Sequence, residues 1–205
     1  EANDTASDFV RAKIRATVKD QKTAELLCPN DHPIGTKRLI LDTDYYETYN
    51  RDNVDLVDIR SNPIERFTKT GLQLTDGSTY DVDAISFATG FDAMTGAMRE
   101  IDIRTDQGAN IRDKWADGPH THLGLMSAGF PNMFMITGPG SPSVLANMIT
   151  AVEQHVDWIA SCLGWLRERN ASTIEATEGA TEDWVAHVND LAASTLYPTC
   201  NSWYL

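Results

Sequence analysis

Two apolar runs in this chain each stop on a glycine-bearing turn, and a long amphipathic stretch follows the second. The first, Ala84-Ile85-Ser86-Phe87-Ala88, runs into Thr89-Gly90; the second, Met133-Phe134-Met135-Ile136, runs into Thr137-Gly138-Pro139-Gly140. Apolar runs of this length without polar alternation read as strands buried on both faces. Behind the second, Leu145, Met148, Ile149, Val152, Val156, Ile159, Ala160 and Leu163 recur at three- and four-residue intervals. That spacing predicts a helix over about residues 142–167, packed along one face.

The rest of the chain alternates in the same way. Phe9, Val10, Ile14 and Val18 predict a helix over about residues 6–19, opened by a capping box at Thr5 and Asp8. A short helix near residues 23–27 must end at Cys28-Pro29. Residues 54–59, 64–67 and 71–74, with the turn Asp76-Gly77-Ser78, read as short strands. Residues 102–113 read as an acidic surface excursion, and a last helix over about residues 182–196 stops at Tyr197-Pro198. Strands and helices without an internal repeat place the chain in the α/β or α+β class.

Charge narrows the partners. Among 205 residues, 17 Lys and Arg stand against 30 Asp and Glu, a formal charge of −13, which repels nucleic acid and anionic lipid unless basic residues cluster. They are scattered, so neither nucleic acid nor membrane is expected as a partner. The longest apolar runs fall short of the roughly 18 residues a membrane helix needs, and the first residues lack a signal-peptide layout. Three irregularly spaced cysteines, Cys28, Cys162 and Cys200, suggest neither a disulfide framework nor a zinc site, and a cytoplasmic location is expected. His120-x-His122 and Cys28-x-x-x-His32 lack supporting ligands, so no metal is expected. The elbow of a serine hydrolase is absent.

Three places can hold chemistry. In "TGPGSPSVLANM", Ser141 suits a helix N-cap and Pro142 the first helical position, while the glycines let backbone pass close to another group. The stretch reads either as a sharp turn without a ligand or as a seat for the electron-rich edge of a cofactor. The Ala88-Thr89-Gly90 turn carries the same two readings. Lys37 and Arg38 in "PIGTKR" are either solvated surface or a pair that meets a phosphate or a developing anion. The neighbouring Asp42, Asp44, Tyr45, Tyr46 and Glu47 either position that pair or cap a loop.

The series "CPNDHPIGTKR", "DTDYYETYNRDNV", "FATGFDAMTG", "TGPGSPSVLANM" and "NSWYL" resembles, in order, the C-terminal part of the flavin-dependent Baeyer–Villiger monooxygenases. The resemblance implies an enzyme with two Rossmann-like domains, for FAD and NADP, and a helical insertion in the latter. It implies that NADPH reduces the flavin and that O2 is then activated to insert one oxygen atom into a ketone, giving an ester or lactone. Residues 1–88 would end the helical insertion and NADP-binding domain, and residues 89–205 would form the C-terminal part of the FAD-binding domain.

By the same resemblance, Arg38 is the catalytic cation and Lys37 meets the 2′-phosphate of NADPH. Thr89, Gly90, Phe91 and Asp92 lie near FAD, Asn147 and Met148 lie against the flavin ring, and Trp203 contacts NADP. Ser143, Val144 and Leu145 line the substrate pocket. The glycine fingerprints of both nucleotide sites and the F-x-G-x-x-x-H-x-x-x-W signature are absent from these residues. The expectation is therefore a partial Rossmann-like flavoprotein that lacks its N-terminal βαβ units and needs those segments as partners. A related N- or S-oxygenating flavin monooxygenase and a non-catalytic α/β interaction module are the alternatives.

Overall fold

A computed structural model describes residues 2–141 and 146–202, and the chain divides into two compact units, Glu1–Gly90 and Phe91–Leu205. Four of the expected site residues, Ser143, Val144, Leu145 and Trp203, lie outside the described residues.

The first unit opens with α1 (Ala2–Thr17) and α2 (Gln21–Leu27). Ile14 and Val18 of the α1 stripe bury against Ala24 and Cys28, with Val10, Leu27, Tyr46 and Tyr49 packed around them. Burying a side chain such as Ile14 contributes about 1.5–3 kcal/mol. The helix begins earlier than its capping box predicts, so Thr5 lies inside it. Asn3 explains the early start: its side chain donates to the Ile34 carbonyl at 2.8 Å and accepts the Ile34 N–H at 3.1 Å, which ties down the first turn. At the other end Asn50 donates to the Thr17 carbonyl at 2.9 Å and accepts the Lys19 N–H at 2.8 Å. Asp20 caps α2 through the Thr23 N–H.

After the short helix α3 (Tyr45–Thr48), three strands follow: β1 (Ile64–Phe67), β2 (Gly71–Leu74) and β3 (Thr79–Asp81). They form an antiparallel sheet in sequence order, with Phe67 opposite Leu72 and Leu72 opposite Tyr80. Leu74 is its buried anchor. The expected strand over 54–59 is irregular coil with Val54, Leu56 and Val57 half-buried. The expected buried strand over 84–88 is also no strand, and its Phe87 is 69% exposed. A strand is defined by its neighbours' hydrogen bonds, and the described sheet ends at β3.

The second unit contains α4 (Gly96–Glu100), α5 (Ile111–Lys114), α6 (Met148–Glu168) and α7 (Glu178–Ala193), followed by a 3₁₀ turn at Tyr197–Thr199. Residues 102–113 are not all surface: Ile111 is fully buried in a core with Trp115, Phe130 and Met135. A second cluster joins Leu125, Met126 and Ala176. The expected strand over 133–137 is coil held by single bonds to a neighbouring loop, Met135 N–H to Leu125 O at 2.8 Å and Gly138 N–H to Gly124 O at 3.1 Å.

The cap of α6 is Asn147, whose side chain accepts the Ile149 N–H at 3.0 Å; the expected cap Ser141 is not its boundary, and Pro142 lies outside the described residues. Ala151, His155 and Leu166 face inward. Ile149, Val156 and Leu163, expected on the packed face, are exposed, because at about 100° per residue they form a separate stripe beside the buried one. Thr177 caps α7, again ahead of the expected start. No helix among the described residues is long and apolar enough to cross a membrane.

Candidate functional site

Lys37 and Arg38 leave a fixed turn. The Thr36 N–H donates to the Pro33 carbonyl at 3.3 Å, the Thr36 hydroxyl donates to the same oxygen at 2.7 Å, and Gly35 between them has φ +90. Glycine adopts that φ without steric cost, and Asn3 holds Ile34 from the α1 side. Lys37 lines a cleft of about 660 Å³ with Asp31, His32, Asp58 and Arg60. Asp31 organises it, pairing with His32 Nδ1 at 2.6 Å and Arg60 Nη2 at 3.2 Å. The hydrogen bond from His32, with the nearby charge of Lys37 and the hydrogen bond from Arg60, pulls the Asp31 carboxyl down to about 2 against the opposing effect of burial.

Arg38 is exposed and has no carboxylate partner among the described residues. The acidic cluster beyond it acts as a loop cap: Asp42 accepts the Tyr45 N–H at 2.9 Å. Tyr49 donates its hydroxyl to Tyr45 at 2.9 Å, and that bond, with burial, pushes its own pKa up to about 12.

Thr89 and Gly90 end the first unit, and Phe91 and Asp92 begin the second. Gly90 has φ +83 and open space where a Cβ would stand, so its conformation and not its size requires glycine. Phe91 is 95% exposed. A Cβ on Gly96 would collide with the Asp92 side chain, which packs there.

The turn at 137–140 is built differently. A Cβ on Gly138 would sit 2.6 Å from the Gly124 carbonyl oxygen, so this glycine serves backbone packing inside the unit. The Thr121 hydroxyl donates to Pro139 O at 2.6 Å, Trp184 Nε1 donates to Gly140 O at 2.9 Å, and the Thr137 N–H donates to His155 Nδ1 at 2.9 Å. Sequence reasoning overlooks all three of these supports. The available signal was His155 itself, a polar residue four positions after Ala151 on the inward face of α6. Asn147 and Met148 follow as the cap and first residue of that helix.

No family profile matches the chain. Among curated proteins it is 42% identical, over 98% of its length, to a Baeyer–Villiger monooxygenase of Pseudooceanicola batsensis, of which it covers 36%. It is 43% identical over 98% to phenazine N-monooxygenase PhzNO1 of Lysobacter antibioticus, covering 37% of that protein. Among solved structures, an oxidised steroid monooxygenase bound to NADP matches all of the chain at 53% identity with a TM-score of 0.92, over 39% of that chain. Nearly the whole of this chain is thus similar to a part of a Baeyer–Villiger monooxygenase. A second solved structure, OTEMO in complex with FAD and NADP, matches 99% of the chain at 42% identity with a TM-score of 0.92, over 38% of that chain. The chain thus spans under two fifths of the length of the relatives it matches.

Proposed function

We propose that this chain is the C-terminal portion of an NADPH- and FAD-dependent enzyme that inserts one oxygen atom of O2 into a ketone, giving an ester or lactone. The observation that carries this reading is the full-length agreement with the NADP-bound steroid monooxygenase at 53% identity. In this reading residues 1–88 end the helical insertion and NADP-binding domain, and residues 89–205 belong to the FAD-binding domain. Both domains are Rossmann-like, and their first βαβ units lie in the remainder of the enzyme.

The bound flavin supplies the redox chemistry and the activation of O2. Arg38 supplies a permanent cation where negative charge develops, since guanidinium stays protonated in a dry site and a preorganised charge costs no reorganisation during reaction. The residue fits that task because no carboxylate among the described residues neutralises it. Lys37 meets the 2′-phosphate of NADPH as a point charge, in a cleft whose Asp31 is already engaged by His32 and Arg60. Thr89, Gly90, Phe91 and Asp92 run beside FAD; the 137–140 turn, Asn147 and Met148 face the flavin ring. In the same reading Ser143, Val144 and Leu145 line the ketone pocket, and Trp203 contacts NADP.

The test is the enzyme containing this segment, purified with flavin and given NADPH, O2 and a panel of ketones. Ester or lactone in step with NADPH consumption supports the reading; a colourless protein, or one indifferent to every ketone, overturns it. The likeness to a phenazine N-monooxygenase at 43% identity favours a second reading, oxygen transfer to a ring nitrogen. An N-oxide formed from phenazine, with no ester from any ketone, would select it.

A further inference from the structure

His155 has no part in the reading above, yet it is a polar side chain only 4% exposed on the inward face of α6. Its Nδ1 accepts the Thr137 N–H at 2.9 Å. That bond is open only to an imidazole with no proton on Nδ1, which leaves the ring hydrogen on Nε2. The donor is unusual too. Thr137 has φ +51, a left-handed conformation that is an outlier for a β-branched residue. Such strain persists only where the surroundings over-determine the backbone, and it gathers at functional sites.

The surroundings here do so. Thr121 and Trp184 hold the carbonyls of Pro139 and Gly140, and Gly138 rests on Gly124. His155 holds the amide at the start of the turn. A turn needed only for chain reversal would be served by glycine at 137, which takes this φ freely, and an apolar residue would fill the site of His155 without the cost of a buried polar group.

We propose that His155 is a positioning residue: it fixes the strained 137–140 turn so that the turn presents a rigid backbone surface to the flavin. The inference rests on the flavin-facing role proposed above for this turn. His155 does not touch the reacting atoms; it acts through the Thr137 amide.

The test uses the full-length, flavin-loaded enzyme with His155→Leu, His155→Asn and His155→Gln, each also in a Thr137→Gly background. Asn places an acceptor oxygen where Nδ1 stands, Gln places it one bond farther out, and Leu removes it. The readouts are the visible circular dichroism of bound flavin and the hydrogen peroxide released per NADPH oxidised. His155→Leu is expected to alter the flavin spectrum and raise peroxide release roughly fivefold or more, the scale set by orphaning one half-buried amide, with the KM for NADPH unchanged. His155→Asn should stay near the parent, and Thr137→Gly should shrink the Leu effect to about twofold because the strain it releases no longer needs holding.

A folded, flavin-loaded His155→Leu enzyme with unaltered spectrum and coupling overturns the proposal. Where the Leu variant is not recovered, equal behaviour of the Asn and Gln variants overturns it, and a difference in favour of Asn upholds it. A parent enzyme without flavin refutes the proposed function instead, so the two failures are separable.

Discussion

At the residue scale the roles proposed for the two neighbouring cations predict different effects of substitution. Arg38→Ala in the full-length enzyme is expected to abolish ester formation while flavin stays bound, and Arg38→Lys to fail largely because a point charge does not replace the planar fork; product analysis beside the flavin absorbance reads both. Lys37→Ala should raise the KM for NADPH about ten- to a hundredfold, the equivalent of losing one charge-assisted bond, and leave that for NADH nearly unchanged, since NADH lacks the phosphate. Asp31 carries the pH signature. Its folded carboxyl lies at about 2, below its unfolded value of about 3.9, so its ionised form stabilises the first unit above that unfolded value. The contribution is lost as pH falls through the folded one. The urea midpoint of Asp31→Asn should therefore lie below the parent's near neutral pH and converge with it near pH 2. A gap as wide at pH 2 as at neutral pH would remove the assignment.

At the element scale, helices were legible and strands only in part. The stripe of Val10, Ile14 and Val18 specifies α1 because a helix satisfies its own backbone hydrogen bonds and needs a partner only for one face. Its bounds depend on residues distant in sequence: Asn3 reaches Ile34, and Asn50 reaches Thr17 and Lys19. Asn50→Ala should lower stability by about 1–2 kcal/mol, since it orphans a carbonyl and an amide at the α1 terminus, while Asn50→Asp, which keeps the acceptor, should cost less; thermal melts of the two rank them. The β1–β2 hairpin and the turn after β2 were legible because their partners are neighbours in sequence, whereas β3 was not expected as a strand. The apolar runs at 84–88 and 133–137 read as strands in the sequence but are coil, because a strand's identity rests on ladder hydrogen bonds from neighbouring chain that local composition does not specify.

At the scale of the whole molecule, the junction of the two units falls between Gly90 and Phe91, within a run where every residue from 81 to 92 is exposed. Exposed, unpaired backbone is where proteases act first. Brief chymotrypsin treatment of the 205-residue segment, expressed alone, should cut after Phe87 or Phe91 and release two fragments near 10 and 13 kDa, sizes that follow from the residue counts of the two units at roughly 0.11 kDa each. Cleavage scattered through α1 and α6 would deny them compactness. The same segment should bind an apolar dye through Leu39, Ile40, Leu41, Ile149, Val156 and Leu163, all exposed.

Taken by itself, the sequence determined the helical stripes, the β1–β2 hairpin, the acidic balance and the ordered series of motifs that carries the resemblance, because each is written in neighbouring residues. Only the tertiary structure decided that Gly138 is a packing glycine and Gly90 a conformational one, that Asn147 caps α6, and that His155 holds Thr137. Those outcomes depend on which distant backbone groups come within hydrogen-bond reach. A hydrogen bond between residues 18 positions apart leaves no periodicity behind it, so local pattern cannot announce it before the chain has folded.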